Sequence, residues 1–235
     1  MNSSYLSLKK IRMQYSEWEP FYLSILSDFG YSQESDRKSA ALLSKLIEGR
    51  DNSLALVRKG KKPVIIGPKI NEETQIDTTL YDKIIVADSA LPAFVEAFGV
   101  PDVVFTDLDG DLDMLADVSA EGSVIVVHSH GDNIHAVNSF IDRVSGPLIG
   151  TCQVKPFGPL LNYGGFTDGD RAAFFLDELG FDRIDLVGFD FNDPVPKEGS
   201  DPWVKARKLQ WARKLLFYLA NRRGVSFSEG GLIRL

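Results

Sequence analysis

The sequence has little cysteine and little histidine, the residue types that most often build disulfides and zinc sites. Its 235 residues include one cysteine, Cys152, which excludes an internal disulfide framework and a multi-cysteine zinc site. Because no cysteine or histidine partner is close to it in the sequence, we expect Cys152 to be buried and inert. The three histidines all fall within residues 128–135.

The sequence also lacks a basic surplus, a long apolar run and a signal pattern. It has 33 acidic against 26 basic residues, a net charge of −7, which argues against a general nucleic-acid binder. No apolar run approaches the roughly 18–20 residues that span a membrane. The first residues do not show the basic-then-apolar pattern of a secretory signal. We therefore expect no nucleic-acid partner, no membrane partner and a cytoplasmic location.

Short β-branched runs alternate with amphipathic stretches from about residue 62 onward. Continuous apolar runs are typical of parallel strands that are buried on both faces. Their alternation with helical stretches predicts a parallel sheet with right-handed crossovers. We predict an α/β chain with a Rossmann-like, mostly parallel sheet and flanking helices over residues 60–235. A helical N-terminal segment over residues 1–59 precedes it.

The predicted elements follow from these patterns. Strands are expected at 64–66, 84–86, 103–105, 124–127, 147–149 and 184–187, with edge strands at 225–227 and 232–233. Helices are expected at 90–98, 133–144, 169–179 and 203–222, the last of which Gly224 would end. In the N-terminal segment, helical spacing relates Ile11, Tyr15, Trp18 and Tyr22, and Ser32 is the expected cap of a second helix.

A run of carboxylates directly follows the predicted strand 103–105. It contains four aspartates at alternating positions: Asp107, Asp109, Asp111 and Asp113. Ligands bind at the carboxyl ends of parallel strands, and a divalent cation would relieve the repulsion between these like charges. Oxygen ligands suit Mg²⁺ or Mn²⁺, with Asp107 and Asp109 the favoured residues and Asp113 expected on the surface. A helix-loop-helix calcium site is excluded because its sixth position, Leu112, is not glycine.

A histidine-rich turn follows the next predicted strand, at residues 128–133. Its His-x-His-x-Asp spacing occurs in metallo-β-lactamase-type hydrolases, but Asn133 stands where that motif continues with histidine, and downstream histidines are lacking. We expect His128 and His130 to contact phosphate or substrate, or to orient the site. Asp132 would cap the following helix and reach the metal, and capping alone is the alternative.

A glycine-rich segment over residues 152–171 matches neither the Walker A pattern nor the dinucleotide fingerprint. We expect Lys155 and Arg171 to offer positive charge to a polyphosphate. The alternative is an ordinary loop that Thr167 or Asp168 caps into a helix.

The acidic run and the sequence around it resemble motifs of two known families. An apolar strand followed by Asp-x-Asp-Gly resembles the nucleophile motif of haloacid-dehalogenase-type phosphatases. In that family Thr or Val usually follows the glycine, whereas Asp111 stands here. The sequence also resembles the archaeal 6-hydroxymethyl-7,8-dihydropterin pyrophosphokinases of the MptE-like family. The resemblance lies in five blocks, in this order: 87–90, 101–111, 128–133, 164–171 and 186–191. This second resemblance covers about residues 60–225.

The MptE-like family is similar in its core to thiamin pyrophosphokinases. Asp88, Asp107 and Asp109 stand at positions that match aspartates of the thiamin enzymes. The later Asp-Lys-x-x-Thr-Asp of those enzymes is absent, and the histidine-rich turn takes its place. This departure favours the pterin over the thiamin family.

The resemblance implies transfer of diphosphate from ATP to 6-hydroxymethyl-7,8-dihydropterin, with Mg²⁺ or Mn²⁺, in folate- or methanopterin-type synthesis. It implies metal binding by Asp107, Asp109, Asp132 and Asp88. His130 is the candidate base if the reaction uses one. The implied substrate and nucleotide contacts are Asp88, Ser89, His128, Asn133, Lys155, Asn162, Thr167, Asp168, Asp170, Arg171 and Asp190. Asn162, Asp168 and Asp190 are the candidates for reading the pterin ring.

Four functions therefore stand in order. A pterin diphosphokinase comes first, a haloacid-dehalogenase-type phosphatase second, a thiamin pyrophosphokinase third, and a non-catalytic metal- or nucleotide-binding regulator fourth. The sequence is compatible with a homodimer.

Overall fold

The computed structural model describes residues 13–50, 53–70, 74, 76–195 and 201–235. Ile11 lies outside the described residues. The strands are β1 (Pro63–Ile66), β2 (Lys83–Ala87), β3 (Val103–Thr106), β4 (Val124–Ser129), β5 (Leu148–Cys152), β6 (Asp185–Val187) and β7 (Ile233–Arg234). The α-helices are α1 (Tyr15–Phe29), α2 (Gln33–Leu46), α3 (Leu54–Arg58), α4 (Leu91–Phe98), α5 (Leu112–Ala120), α6 (Ile134–Phe140), α7 (Asp168–Leu179) and α8 (Pro202–Arg223).

The seven strands form one mostly parallel sheet in the order β5-β4-β3-β2-β1-β6-β7. Only β7 runs antiparallel, beside β6, among the described strands. Every residue of β1, β3, β4 and β5 is buried, which explains their continuous apolar runs. The α/β prediction is confirmed. All parallel strands end at the same edge of the sheet, so the residues that follow them can meet there.

Most predicted elements are present, and α4, α7 and α8 match their predicted bounds within one residue at each end. The predicted strand at 225–227 is wrong, whereas the run at 232–233 contributes to β7. The predicted helix 133–144 is shorter, because 3-10 turns flank α6 on both sides. Helix α5 was not predicted from the sequence. Its cap is Asp111, whose carboxylate accepts hydrogen bonds from the backbone N–H groups of Asp113 (3.1 Å) and Met114 (3.0 Å).

The N-terminal helices α1 and α2 share the apolar core of the sheet. Trp18, Tyr22 and Leu43 are fully buried in that core. Ser32 caps α2, as expected, by accepting a hydrogen bond from the backbone N–H of Ser35 (3.3 Å). This packing brings the start of α2 to the carboxyl end of β4. Within the described ranges, no helix is both long enough and apolar enough to cross a membrane.

Candidate active site

A cavity of about 750 Å³ lies over the carboxyl ends of the parallel strands. Its floor is formed by residues that follow β2, β3 and β4. Its walls come from α1, the start of α2, the start of α7 and the middle of α8. The cavity is therefore built from the chain's N-terminal, central and C-terminal parts together.

Three carboxylates meet on the cavity floor. Asp88 directly follows β2 and Asp107 directly follows β3, and these strands are parallel neighbours. Oxygen atoms of Asp88, Asp107 and Asp109 all lie within 4.8 Å of one another. We call these three residues the acidic triad. The other two aspartates of the run point to different tasks: one caps α5, and Asp113 is exposed and pairs with an arginine side chain at 2.5 Å.

The backbone between two triad members has an unusual conformation. Leu108 has a φ of +64°, and no other non-glycine residue in the described chain has a positive φ. Its backbone N–H donates to Thr106 Oγ1 (2.8 Å), and the Thr106 hydroxyl donates to Asp88 Oδ2 (2.6 Å). A Cβ atom at Gly110 would clash with the Asp88 carboxylate. Thr106 and Gly110 therefore fix how the triad is presented.

The acidic triad fits a hard divalent cation. All its donor atoms are carboxylate oxygens, which Mg²⁺ and Mn²⁺ prefer. Asp107 Oδ1 is buried and has no hydrogen-bond partner in the described part of the chain. Asp168, at the start of α7, lies beside the triad. Burial, followed by the charges of the three triad carboxylates, holds the pKa of Asp168 well above its ordinary value.

Both ring nitrogens of His130 contact neighbouring groups. Its Nδ1 accepts a hydrogen bond from the Asp132 backbone N–H (3.3 Å), so Nε2 carries the proton and lies 3.5 Å from Asp107 Oδ2. Burial would raise the pKa of Asp107, but the hydrogen bond from His130 outweighs it, and the pKa is lowered. With Nδ1 used as an acceptor and Nε2 as a donor, His130 has no free lone pair, so the geometry does not favour its use as a base. Asp132 is exposed at the cavity edge, outside the triad.

Asn133 links three parts of the fold. Its amide donates to the carbonyl oxygens of Asp107 and His128, both at 2.7 Å. Its Oδ1 accepts from the His130 backbone N–H (3.0 Å) and from the Ser39 hydroxyl on α2 (3.3 Å). Asn133 does not line the cavity. Its hydrogen-bonding groups are used inside the protein, where they hold the ends of β3 and β4 against α2.

A second link between α2 and the histidine-rich turn was not predicted from the sequence. The buried Asp36 carboxylate accepts hydrogen bonds from the Gly131 backbone N–H and from the Tyr22 hydroxyl, both at 2.7 Å. Burial, the hydrogen bond to Asp36 and the charge of Asp36 raise the pKa of Tyr22 well above its ordinary value. The N-terminal helices thus help to position the cavity floor. The relevant signal was an acidic residue, Asp36, at helical spacing with Ser39, Ala40 and Leu43 on the buried face of α2.

The cationic side chains that face the cavity come from α8. Lys205 and Lys208 both line it, and Lys208 is close enough for its charge to act on Asp107. Lys205 Nζ donates to the Val195 carbonyl oxygen at 2.7 Å. The two cations expected from the sequence lie elsewhere. Lys155 is exposed outside the cavity, and the buried Arg171 donates to a backbone carbonyl oxygen at 3.0 Å.

The remaining predicted residues divide into two groups. The cavity is lined by Asp88, Ser89, Asp107, Asp109, His128, His130, Asp132, Thr167, Asp168 and Asp170. It is not lined by Asn133, Lys155, Asn162, Arg171 or Asp190. The Asn162 amide donates to the carbonyl oxygens of Gln153 (2.8 Å) and Val154 (2.9 Å), and Asp190 is exposed and accepts from a backbone N–H. Asp170 accepts from the backbone N–H groups of Phe166 (2.6 Å) and Thr167 (2.9 Å) at the start of α7.

Cys152 is buried, as expected, and burial raises its pKa to about 12.

Comparisons with known proteins agree with the resemblance found in the sequence. The family model described as 6-hydroxymethylpterin diphosphokinase MptE-like matches residues 41–195. Three curated archaeal relatives are each named 6-hydroxymethyl-7,8-dihydropterin pyrophosphokinase. The relative from Pyrococcus furiosus is 39% identical over 235 residues, covering 92% of this chain and 99% of its own. Those from Methanothermobacter thermautotrophicus (34%; 91% of this chain and 98% of its own) and Methanocaldococcus jannaschii (32%; 92% and 99%) are similar over nearly the same length.

Proposed function

The chain belongs to the MptE-like family of 6-hydroxymethylpterin diphosphokinases, and we propose that it transfers diphosphate from ATP to 6-hydroxymethyl-7,8-dihydropterin in the presence of Mg²⁺. The names of the curated relatives support the pterin as acceptor. The observation that carries the proposal is the acidic triad on the floor of a cavity whose wall holds Lys208. A metal-bound triphosphate needs this pairing of carboxylates and cations.

In the proposed reaction the hydroxymethyl oxygen of the pterin attacks the β-phosphorus of ATP. A new O–P bond forms, the bond from the β-phosphorus to the α–β bridging oxygen breaks, and AMP leaves with that oxygen. The proton of the alcohol passes to solvent. Bound Mg²⁺ would neutralise charge on the phosphate oxygens, and Asp88, Asp107 and Asp109 would hold it. Mn²⁺ suits the same ligands.

The protein's own contribution is mainly positioning. His130 orients the Asp107 carboxylate, Thr106 orients that of Asp88, and Lys208 offers its ammonium group to the triphosphate. Asp168, beside the triad, adds a further oxygen for the cation or its bound water. We assign no general base, because positioning and charge neutralisation supply most of the acceleration in phosphoryl transfer. The pterin diphosphate would serve folate- or methanopterin-type cofactor synthesis.

The test combines product analysis with matched variants. The protein is incubated with Mg²⁺, ATP labelled at the β-phosphate, and either the dihydropterin or thiamin. We expect AMP and labelled pterin diphosphate, and no product with a chelator present. Asp107→Asn and Asp109→Asn should each lower turnover at least about a hundredfold, the scale of losing a preorganised charged contact. The matched control, Asp113→Asn, should stay near wild type because that side chain is exposed and does not line the cavity.

The alternatives predict different products. Thiamin diphosphate would indicate a thiamin pyrophosphokinase. ADP or free phosphate with a trapped acyl-phosphate on Asp107 would indicate a haloacid-dehalogenase-type phosphatase. Binding of ATP without any AMP would indicate a regulator. Each of these outcomes contradicts the proposed function.

A further inference from the structure

Two hydrogen-bond acceptors in the cavity wall have no partner in the described chain. They are Nε2 of His128 and Oε1 of Gln153. Both residues line the cavity, and their exposed fractions are only 3% and 6%. A buried acceptor without a donor costs roughly 1–3 kcal/mol, so proteins seldom retain two in one cavity wall without use. A ligand that brings N–H groups would satisfy both.

The hydrogen bonds of His128 fix its role as an acceptor. The Thr151 hydroxyl donates to the Val127 carbonyl oxygen (3.1 Å), so Thr151 Oγ1 accepts from the N–H at Nδ1 of His128 (3.1 Å). With the ring proton on Nδ1, Nε2 carries a lone pair. Burial, followed by the charge of Arg171, also holds the pKa of His128 well below its ordinary value. His128 therefore stays neutral.

Sheet register places Gln153 beside the histidines. His128 pairs with Thr151 between β4 and β5, the last pair is Ser129 with Cys152, and Gln153 directly follows that end of β5 and lines the cavity. Side chains two residues apart along a strand lie on the same face. The Gln153 carbonyl oxygen accepts from the Trp18 indole (3.0 Å) and from the Asn162 amide (2.8 Å), which fixes its backbone. Gln153 was not among the residues expected from the sequence.

We propose that His128 and Gln153 form the subsite for the pterin ring and accept hydrogen bonds from its 2-amino group and N3–H. This inference rests on the proposed function. The aminopyrimidinone edge of a pterin carries these two donors side by side. Adenine offers donors only at its exocyclic amino group, so a pair of acceptors suits the pterin and not the nucleotide base. The nucleotide then occupies the side of the cavity near Ser89 and Lys208.

The position of this subsite suits the reaction. The rings of His128 and His130 are nearly parallel, at 19°, with centroids 6.1 Å apart, and His130 Nε2 lies 3.5 Å from Asp107 Oδ2. A pterin held at its aminopyrimidinone edge by His128 and Gln153 has its opposite edge, which bears the hydroxymethyl group, free to extend toward the acidic triad. The acceptor alcohol would then meet the metal-bound triphosphate.

The test measures binding without turnover. Fluorescence titration with 6-hydroxymethylpterin, the oxidised and fluorescent form of the proposed substrate, gives its Kd. The same titration uses 6-hydroxymethyl-lumazine, which has a carbonyl oxygen in place of the 2-amino group. We expect wild type to prefer the pterin at least about tenfold, because the lumazine presents an oxygen to a protein acceptor. Equal affinity for the two compounds would overturn the inference without any variant.

Two variants then assign the preference to residues. Gln153→Met removes one acceptor at similar volume. His128→Asn keeps a donor near the Nδ1 position for Thr151 and removes Nε2. Each should weaken pterin binding about tenfold and reduce the preference over the lumazine, while the Kd of MgATP stays within about twofold. Gln33→Met, the same change outside the cavity, should leave both affinities unchanged, and thermal melting reports whether each variant is folded.

The outcomes separate the two proposals. If wild type forms pterin diphosphate but both variants keep the affinity and the preference, the subsite is wrong and the proposed function stands. If wild type neither binds the pterin nor converts it, the proposed function fails and the subsite fails with it. If a variant weakens pterin and MgATP binding equally, its role is structural and that residue's assignment is overturned.

Discussion

Asn133→Asp tests whether Asn133 is structural or binds substrate, because it keeps the shape of a buried side chain and replaces its N–H donors with a carboxylate oxygen. Asn133 was expected to contact substrate, but its amide donates to two backbone carbonyl oxygens, those of Asp107 and His128, both at 2.7 Å. A carboxylate of the same shape has no proton to donate. Both carbonyl groups would lose their donor and would face a negative oxygen. The change therefore acts on the ends of β3 and β4.

The size of the effect follows from these two bonds. Each buried carbonyl left without a donor costs about 1–3 kcal/mol, so the loss of both donors in Asn133→Asp should lower the free energy of unfolding by about 2–6 kcal/mol. For a chain of this length that is a fall in Tm of roughly 4–24 °C. The introduced carboxyl is buried, so its folded pKa is raised, and protonation restores one donor. The loss should therefore be largest above that pKa and should shrink as the pH falls through it.

The assay is urea unfolding followed by circular dichroism, at neutral and at mildly acidic pH. Asn138→Asp makes the same chemical change at an exposed position of α6 and should alter the free energy of unfolding by less than about 0.5 kcal/mol. If Asn133→Asp keeps wild-type stability and instead raises only the KM of one substrate, the structural role is wrong and Asn133 binds substrate. A loss of stability that does not depend on pH would also contradict the argument from its donors.

Three further outcomes are expected. Lys208→Met should raise the KM for ATP about tenfold and leave the Kd of 6-hydroxymethylpterin unchanged, since that lysine faces the triad and not the proposed pterin subsite. Thr106→Val should weaken Mn²⁺ binding, measured by electron paramagnetic resonance, about tenfold, whereas Thr106→Ser should keep it, because the hydroxyl that holds Asp88 remains. Asp185→Asn should lower the free energy of unfolding by about 1–3 kcal/mol at pH 7, because its buried carboxylate pairs with Arg183. Burial raises the pKa of Asp185, but hydrogen bonds from two arginines outweigh it and lower the pKa. The difference in the free energy of unfolding between wild type and Asp185→Asn should therefore shrink as the pH falls below about 4. Unfolding at pH 3 and pH 7 can check this.

The parts of the fold that depend on local pattern were predictable. Buried parallel strands read as short β-branched runs, and the rule that ligands bind at the carboxyl ends of such strands pointed to Asp88, Asp107 and Asp109. These three do meet in the structure. Helix α5 was missed because Asp111 was considered only as part of the acidic run that follows β3, whereas it begins a helix. An acidic residue that follows a strand can bind a metal or cap a helix, and the sequence alone does not distinguish the two roles.

The cavity walls depend on contacts that local patterns do not encode. Lys208 belongs to a helix whose spacing shows only that it is amphipathic, and nothing in that spacing says which edge of the sheet it covers. Asp36 bonds to a residue 95 positions away. Gln153 precedes a glycine-rich loop and has no motif of its own. Each gains its place only when distant elements pack, so a residue-by-residue reading of strand ends cannot find them.

The hydrogen bonds separate polar residues that hold the site in shape from those that keep a polar atom available to a ligand. The side chains of Asn133, Asn162 and Asp170 are committed to backbone groups at the site's margins. Asp107, His128 and Gln153 each keep one buried polar atom without a partner in the described chain. A protein tolerates such atoms where a ligand completes them, because the folded chain alone leaves their desolvation uncompensated. Residues of the two groups look alike in sequence. Their unused atoms are what support the proposed cation site and pterin subsite for one set, whereas the other set belongs to the scaffold that holds them.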